Sequence, residues 1–385
     1  MNVVGARHQV RNALLRPAAR IGRRRETSDS DTVLILQPDH LGDILLSQPA
    51  VNRIREQFPH HRLVGVVGPW SEAIARIVWP VDEVVTIDFP GFDRASSQKN
   101  PFVPYQQLRT AASTLERLDA CTSFVLRPDA WWAAWLASLV TGGPIMTSDD
   151  PRVAPFGTHH ARVNVCGHAT AQAISIASAL VNSDHGDRVG PGLAPLTVPQ
   201  YPDAENAART LLKRSEVGAK YVVLHPGAGA EVKQWPANRW RHVAQELATN
   251  ELPVLVTGTV SESELAQRIA AKTANVTSIA GQTPLPILIE ILRGAQLVLG
   301  PDSGPLHLAV ACDTPTVHLF GPSDPGRYGP WGPPHRHQVV RGDWSCSRCG
   351  DLSPARASGC GCMVAIQTHT VVCAAKELLR ADAYH

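Results

Sequence analysis

VLGPDSGPLHLAVACDTPTVHLFGPSDP, Val298 to Pro325, reads as strand, tight turn, helix, strand and polar loop in succession. The apolar run from Gln296 to Leu299 stops at Gly300-Pro301, polar Asp302-Ser303-Gly304 follow, and Pro305 to Ala309 has helical spacing. Asp302 or Ser303 suits the N-cap and Pro305 the first turn, so free backbone N–H groups and the positive end of a helix dipole point out of the turn. Phosphate seats are built this way. The helix is expected to end near Cys312-Asp313, Thr314 to Phe320 has the content of a buried strand, and Gly321 to Pro325 forms a second polar loop on the same rim. Taken alone, the stretch also fits an ordinary βαβ connection, since Gly/Pro turns are common in α/β folds.

Outward from that stretch, 385 residues suit two domains, and an apolar fraction of 44% with 18% charged residues suits a globular chain. A net charge of +2 and no basic face with interleaved aromatics argue against a nucleic-acid partner. No apolar run approaches the ~18 residues of a membrane span and no cleavable signal opens the chain, so the cytoplasm is the expected compartment. Residues 1–30 form a basic arm: Arg7, Arg11, Arg16, Arg20, Arg23, Arg24 and Arg25 precede the first acidic residue, Glu26. It reads either as an extension without a fold or as an interfacial helix in peripheral contact with an anionic membrane, on the cytoplasmic face of the inner membrane.

Residues 31–189 alternate strands and helices. Val33 to Leu36 is a buried strand, Gln37 to Leu41 a loop, and Gly42 onward a helix reaching Phe58, which puts Asp43 where strand hands over to helix. In open parallel sheets the ligand crevice lies outside the strands' carboxyl ends, so Asp43 faces a site or caps its helix. Further strands are read at 62–67, 83–87 and 123–126. Trp131, Trp132 and Trp135 on the next helix either pack the core and the interdomain contact or form a platform for a sugar ring or a lipid headgroup, with Arg127 as a phosphate contact. His159, His160 and His168 lack metal-ligand spacing and read as surface or capping residues.

The Pro/Gly-rich stretch 190–202 is the expected linker, and 203–385 a second domain. There the strand Tyr221 to Leu224 delivers His225-Pro226-Gly227-Ala228-Gly229, a turn that lets backbone N–H groups approach a phosphate. Lys233 follows, able to neutralise a pyrophosphate or simply to be solvated. Glu262, after the strand Pro253 to Thr257, can accept both ribose hydroxyls or compensate its helix dipole, with Glu264 as the other acid in that loop.

These residues resemble glycosyltransferase family 9, whose best-known members are the heptosyltransferases of lipopolysaccharide core synthesis. The resemblance rests on D-[ST]-G-P-x-H-L-A at Asp302 to Ala309, T-P-T-V, L-F-G-P-[ST]-D-P, G-D-[VI]-L-x-x-x-P at Gly42 to Pro49, and H-P-G-A-G-x-x-x-K-x-W-P at His225 to Pro236. It runs in order from residue 32 to about residue 373. It implies a GT-B architecture, two Rossmann-like α/β/α domains facing across a cleft, acceptor on the first and nucleotide-diphosphate sugar donor on the second. The implied reaction is inverting transfer of heptose or a related sugar to a glycan or lipid-linked acceptor, with no cofactor required for catalysis. By the same resemblance Asp43 is the catalytic base, and Lys233 contacts the diphosphate and the donor sugar. Ala228, Gly229, Ser303 and Gly304 supply amides, Asp302 meets donor-sugar hydroxyls, His307 joins the donor-binding set, and Glu262 holds the ribose. Gln37 departs from the pattern, in which most members carry Arg. A nucleotide-sugar epimerase or hydrolase of the same architecture, or a non-catalytic nucleotide-sugar binding protein, would carry many of the same motifs.

Cys346-x-x-Cys349 and Cys360-x-Cys362 have the spacing of a structural zinc site, and reduced thiols are the other reading. The resemblance places Cys362-Met363-Val364-Ala365-Ile366 at the start of a helix.

Overall fold

The computed structural model describes residues 30–93, 102–181, 194–342 and 361–382. The basic arm before Ser30 and Cys346, Cys349 and Cys360 lie outside the described residues. The chain forms two compact units, Met1–Gly190 and Pro191–His385.

The first unit is a six-stranded sheet, all pairs parallel, in the order β3-β2-β1-β4-β5-β6. Its strands are β1 (Thr32–Gln37), β2 (Arg62–Val67), β3 (Glu83–Thr86), β4 (Thr122–Val125), β5 (Ile145–Ser148) and β6 (His159–Ala161). Helices α1 (Leu41–Gln57), α2 (Glu72–Val78), α3 (Val103–Leu115), α4 (Trp131–Val140) and α5 (Ala169–Ala177) cover it. Val33 to Leu36 is fully buried because helices cover both faces, and a strand so placed reads as an unbroken apolar run. On one face Leu34, Leu36, Val64 and Val66 pack with Trp132, Trp135 and Phe156. Packing is therefore what the tryptophans do: Trp131 stacks on Trp135 with ring centroids 6.4 Å apart, and Trp132 Nε1 donates to the Pro104 carbonyl at 2.8 Å. His168 caps α5, its ring accepting from Thr170 N at 3.2 Å.

The second unit repeats the first. Strands β7 (Val222–Leu224), β8 (Val254–Val256), β9 (Val276–Ser278), β10 (Leu297–Pro301), β11 (Thr316–Phe320) and β12 (His337–Arg341) lie in the order β12-β11-β10-β7-β8-β9, again all parallel. The helices are α6 (Pro202–Arg214), α7 (Ala237–Leu247), α8 (Ser263–Ala270), α9 (Leu285–Arg293), α10 (Gly304–Ala311), α11 (Pro325–Tyr328) and α12 (Thr368–Asp382). Each unit thus has the doubly wound Rossmann order, the expected α/β class, and strand order reverses between β1 and β4 and again between β7 and β10. Much of the Pro/Gly-rich stretch belongs to the second unit, where Trp331 Nε1 donates to Ala194 O at 2.8 Å and Arg293 to Pro199 O at 2.9 Å.

One local expectation fails. Cys362 to Ile366 is a pair of turns, with Ala365 N on Gly361 O and Ile366 N on Met363 O, and the helix starts only at Thr368. Cys362 and Met363 are buried there, Met363 lying against Gly321 at the end of β11.

Candidate active site

In the second unit the candidate side chains gather outside the carboxyl ends of β7 and β10, where that sheet reverses its order. His225 continues the pairing, its N–H on Leu299 O at 2.8 Å, and the chain then turns through Gly227 to the short 3₁₀ helix Glu231–Lys233. Lys233 Nζ donates to Asp302 Oδ2 at 2.6 Å, and His307 Nε2 on α10 lies 3.6 Å from Asp302 Oδ1. Burial alone would raise the Asp302 pKa, but the His307 hydrogen bond and the Lys233 charge outweigh it and hold the carboxyl well below the usual carboxylate range. Lys233 is therefore engaged by a carboxylate, and Asp302 by a cation and an imidazole. Gly300 permits this convergence: a Cβ there would lie 2.6 Å from the His225 carbonyl and 2.4 Å from Leu306.

Ser303, one of the two expected caps, is the N-cap of α10 in extended conformation, and Pro305 sits in the first turn. Its hydroxyl caps nothing. Ser303 Oγ is buried and hydrogen-bonds to no described residue, as is Ser323 Oγ in the loop after β11. The loop was legible in the sequence, whereas the burial of Ser323 was not. Gly304 opens α10 beside them.

Glu262 lies in the loop after β8, where its Oε2 accepts from Thr259 N at 2.8 Å and Thr259 Oγ1 at 2.9 Å, closing a capping box. A Cβ on Gly227 would lie 2.0 Å from its Oε1, so the carboxylate is seated against the glycine turn after β7. Glu262 thus supports its helix N-terminus while lying beside that turn. Glu264 is exposed in the first turn of α8. Ala228 is half-buried and Gly229 exposed on the same turn. A hollow of about 410 Å³ lined by Glu216, Lys220, Asn250 and Asn275 opens at the opposite, amino ends of β7 to β9, away from all of these groups.

In the first unit Asp43 is half-buried in the first turn of α1, three residues inside the N-cap His40. An acid there complements the helix dipole. Gln37 Nε2 donates to Asp39 Oδ2 at 3.0 Å, and Arg127, at the end of β4, donates to the other oxygen of Asp39. Arg127 Nε also donates to Asp129 Oδ1 at 2.7 Å, so its guanidinium faces two carboxylates instead of an open anion seat. Burial pushes the Asp39 pKa up to about 7, opposed by Arg127 and reinforced by Asp43. Asp39 had no signal in the sequence, because its partner comes from a strand 88 residues on. Among the described residues no group of three or more His, Cys, Asp or Glu side chains could hold a metal ion.

The family model for glycosyltransferase family 9 (heptosyltransferase) matches residues 114–353, and the chain belongs to that family. It is 36% identical over 143 residues to lipopolysaccharide heptosyltransferase 1 of Pseudomonas aeruginosa, a match covering 37% of this chain and 39% of that protein. It is 25% identical over 320 residues to lipopolysaccharide heptosyltransferase 1 of Escherichia coli K12, covering 80% of this chain and 92% of the relative. Among solved structures, E. coli ADP-heptose LPS heptosyltransferase II superposes with a TM-score of 0.69 at 17% identity, over 91% of this chain and 99% of that one, which places the fold in the GT-B class.

Proposed function

We propose that this chain transfers a sugar, heptose or a relative of it, from a nucleotide-diphosphate sugar to a hydroxyl of a glycan or glycolipid acceptor, by a single displacement that inverts the anomeric centre. The observation that carries this reading is the convergence of Lys233, Asp302 and the N-terminus of α10 at the switch point of the second sheet. A cation and a row of helix N–H groups are what a departing diphosphate needs. The relatives' names support an ADP-linked donor. Asp43 takes the proton of the acceptor hydroxyl, the oxygen forms its bond to the anomeric carbon, and the bond from that carbon to the diphosphate oxygen breaks. The diphosphate leaves with the electron pair and is met by Lys233 and the amides of Ser303 and Gly304. In this scheme Lys233 supplies the cation at the leaving group and no metal is required. The arginines of residues 1–30 support a peripheral contact with an anionic membrane, where a lipid-linked acceptor would lie on the cytoplasmic side.

The test is incubation with ADP-heptose, with and without a lipopolysaccharide-core acceptor, reading nucleotide release and the product's anomeric configuration by NMR. Acceptor-dependent release with inversion is expected. Release at the same rate without acceptor would point to the hydrolase or epimerase reading, and tight donor binding without turnover to a binding protein.

A further inference from the structure

Behind the pair of Lys233 and Asp302 lies a buried imidazole that the transfer step does not use. His318 stands in the middle of β11, is 0% exposed, and shares a register position with Gly300 of β10. Residues paired in this way point to the same face of a sheet, and a Cβ on Gly300 would meet Leu306 of α10, so His318 faces that helix as well. His307, the next residue of α10, brings its ring to 5.9 Å from the His318 ring, at 55° to it. Phe320, two residues on along the same side of β11, stacks on His318 at 6.3 Å. Three polar atoms at this contact have no hydrogen-bond partner among the described residues: both ring nitrogens of His318, and Nδ1 of His307. His337 on β12 is engaged elsewhere, its Nδ1 with Thr316 Oγ1 at 2.9 Å and its Nε2 against Gly332. Buried polar atoms are as a rule satisfied, and here each imidazole is the other's nearest candidate.

Resting on the reading of Asp302 as part of the donor site, we propose that His318 is a positioning residue for that site: one of its ring nitrogens is the hydrogen-bond partner of His307 Nδ1, directly or through one water, and this link keeps His307 Nε2 turned toward Asp302 Oδ1. The bond made by one nitrogen of an imidazole fixes the orientation and proton state of the other. Burial keeps His318 uncharged near neutral pH, so it has one N–H and one lone pair to offer. Asp302 is shared between His307 Nε2 at 3.6 Å and Lys233 Nζ at 2.6 Å. Once His307 turns away, Lys233 is the carboxylate's one strong partner, and the ammonium is held back from a diphosphate. His318 touches neither group and acts through His307.

The experiment is nitrogen NMR of the histidine side chains in the full chain, with ADP affinity measured alongside, for the parent, His318→Leu, His318→Asn and His318→Gln. The His307 signals are assigned by their loss in His307→Gln. An imidazole nitrogen's shift reports whether it carries a proton or accepts a hydrogen bond, so the His307 Nδ1 signal is expected to move in His318→Leu. It is expected to return in the amide variant whose N–H stands where the linking nitrogen stood, Asn for Nδ1 and Gln for Nε2. The Kd for ADP should rise several-fold in His318→Leu and recover in that same variant. His307 signals at their parental positions in His318→Leu overturn the proposal, and so does a shift that neither amide restores, because the ring would then only fill space. Ser303 Oγ, one turn before His307 on α10, is also buried without a described partner. A His307 shift in Ser303→Ala with none in His318→Leu would give the partnership to the serine. A moved His307 signal with an unchanged Kd for ADP overturns the positioning role. Failure of the donor reading shows separately, as a parent chain that does not bind ADP, while the signals of the free chain still decide on His318.

Discussion

Lys233 donates to Asp302 across 2.6 Å, joining the turn after β7 to the end of β10 over 69 residues of chain. Both side chains are mostly buried, at 16% and 7% exposure, so removing one partner strands a charge. Breaking such a pair from one side costs about 3–5 kcal/mol, whereas removing both is far cheaper. Asp302→Ala is therefore expected to lose more stability in urea unfolding than Asp302→Ala combined with Lys233→Met. A double variant at least as unstable as the single one would show that the pair is not coupled.

Lys233→Ala also tests the reaction. A cation that meets the diphosphate in the bound donor and in the transition state contributes to both, so donor affinity and turnover fall together, with kcat/KM down by about 10²-fold or more. A donor Kd unchanged by the substitution would place Lys233 outside the donor site.

Gly227→Ala addresses the seat of Glu262. An added Cβ would sit 2.0 Å from Glu262 Oε1, so the carboxylate must swing away while its capping box with Thr259 is strained. If Glu262 holds the ribose as proposed, donor KM is expected to rise several-fold with kcat changed less, because such a contact would be remote from the bonds that change. Equal donor KM in Gly227→Ala and the parent would remove Glu262 from the donor site.

The strands that sequence shows best are the ones buried on both faces, such as Val33–Leu36, where parallel pairing leaves no polar side. β5, β6, β9 and β12 are weak in the sequence for the opposite reason. IMTS, HHA and VTS are short and half polar, and HQVVR alternates with exposed positions, so none forms the apolar run by which a central strand is recognised. The site divides the same way. Asp302 and Ser303 directly follow β10, and Asp43 and Lys233 stand in the local motifs that follow β1 and β7, so their places follow from those motifs. The pairing of Lys233 with Asp302 and of Asp39 with Arg127 depends on which strands lie side by side, and the order of β1 beside β4 and β7 beside β10 is set by packing far along the chain.

Acid sensitivity follows from the buried histidines of β11 and β12. Burial, then neighbouring His307 and His337, hold His318 well below the ordinary histidine range, and burial with Arg336 brings His337 down to about 4. Their folded pKa values lie below the unfolded value of 6.5, so the unfolded chain binds more protons in between. The histidines' contribution is full above pH 6.5 and is lost as pH falls toward 4, while Asp39, a carboxyl held up at about 7, contributes with the opposite sign over much of that range. Asp302, a carboxylate held low, adds a loss of the same sign only below the ordinary carboxylate range. His318→Leu, close in volume, is expected to flatten the fall in Tm between pH 6.5 and 4. Parallel Tm curves for parent and variant would show that His318 is not what titrates.

Asp43→Asn separates chemistry from helix support. His40 is the N-cap and Asp43 lies in the first turn, where an acid contributes about 0.3–1 kcal/mol through the dipole. The loss of stability should therefore stay within about 1 kcal/mol. Donor affinity should be unchanged, because the residues assigned to the donor all lie in the second unit. Turnover should fall by about 10² to 10⁴, the contribution of a positioned base. If dipole compensation were its whole role, the variant would turn over nearly as fast as the parent and differ only in Tm. Retention of more than about a tenth of the parental turnover would fall outside the range of a lost base and would remove Asp43 from the proton transfer.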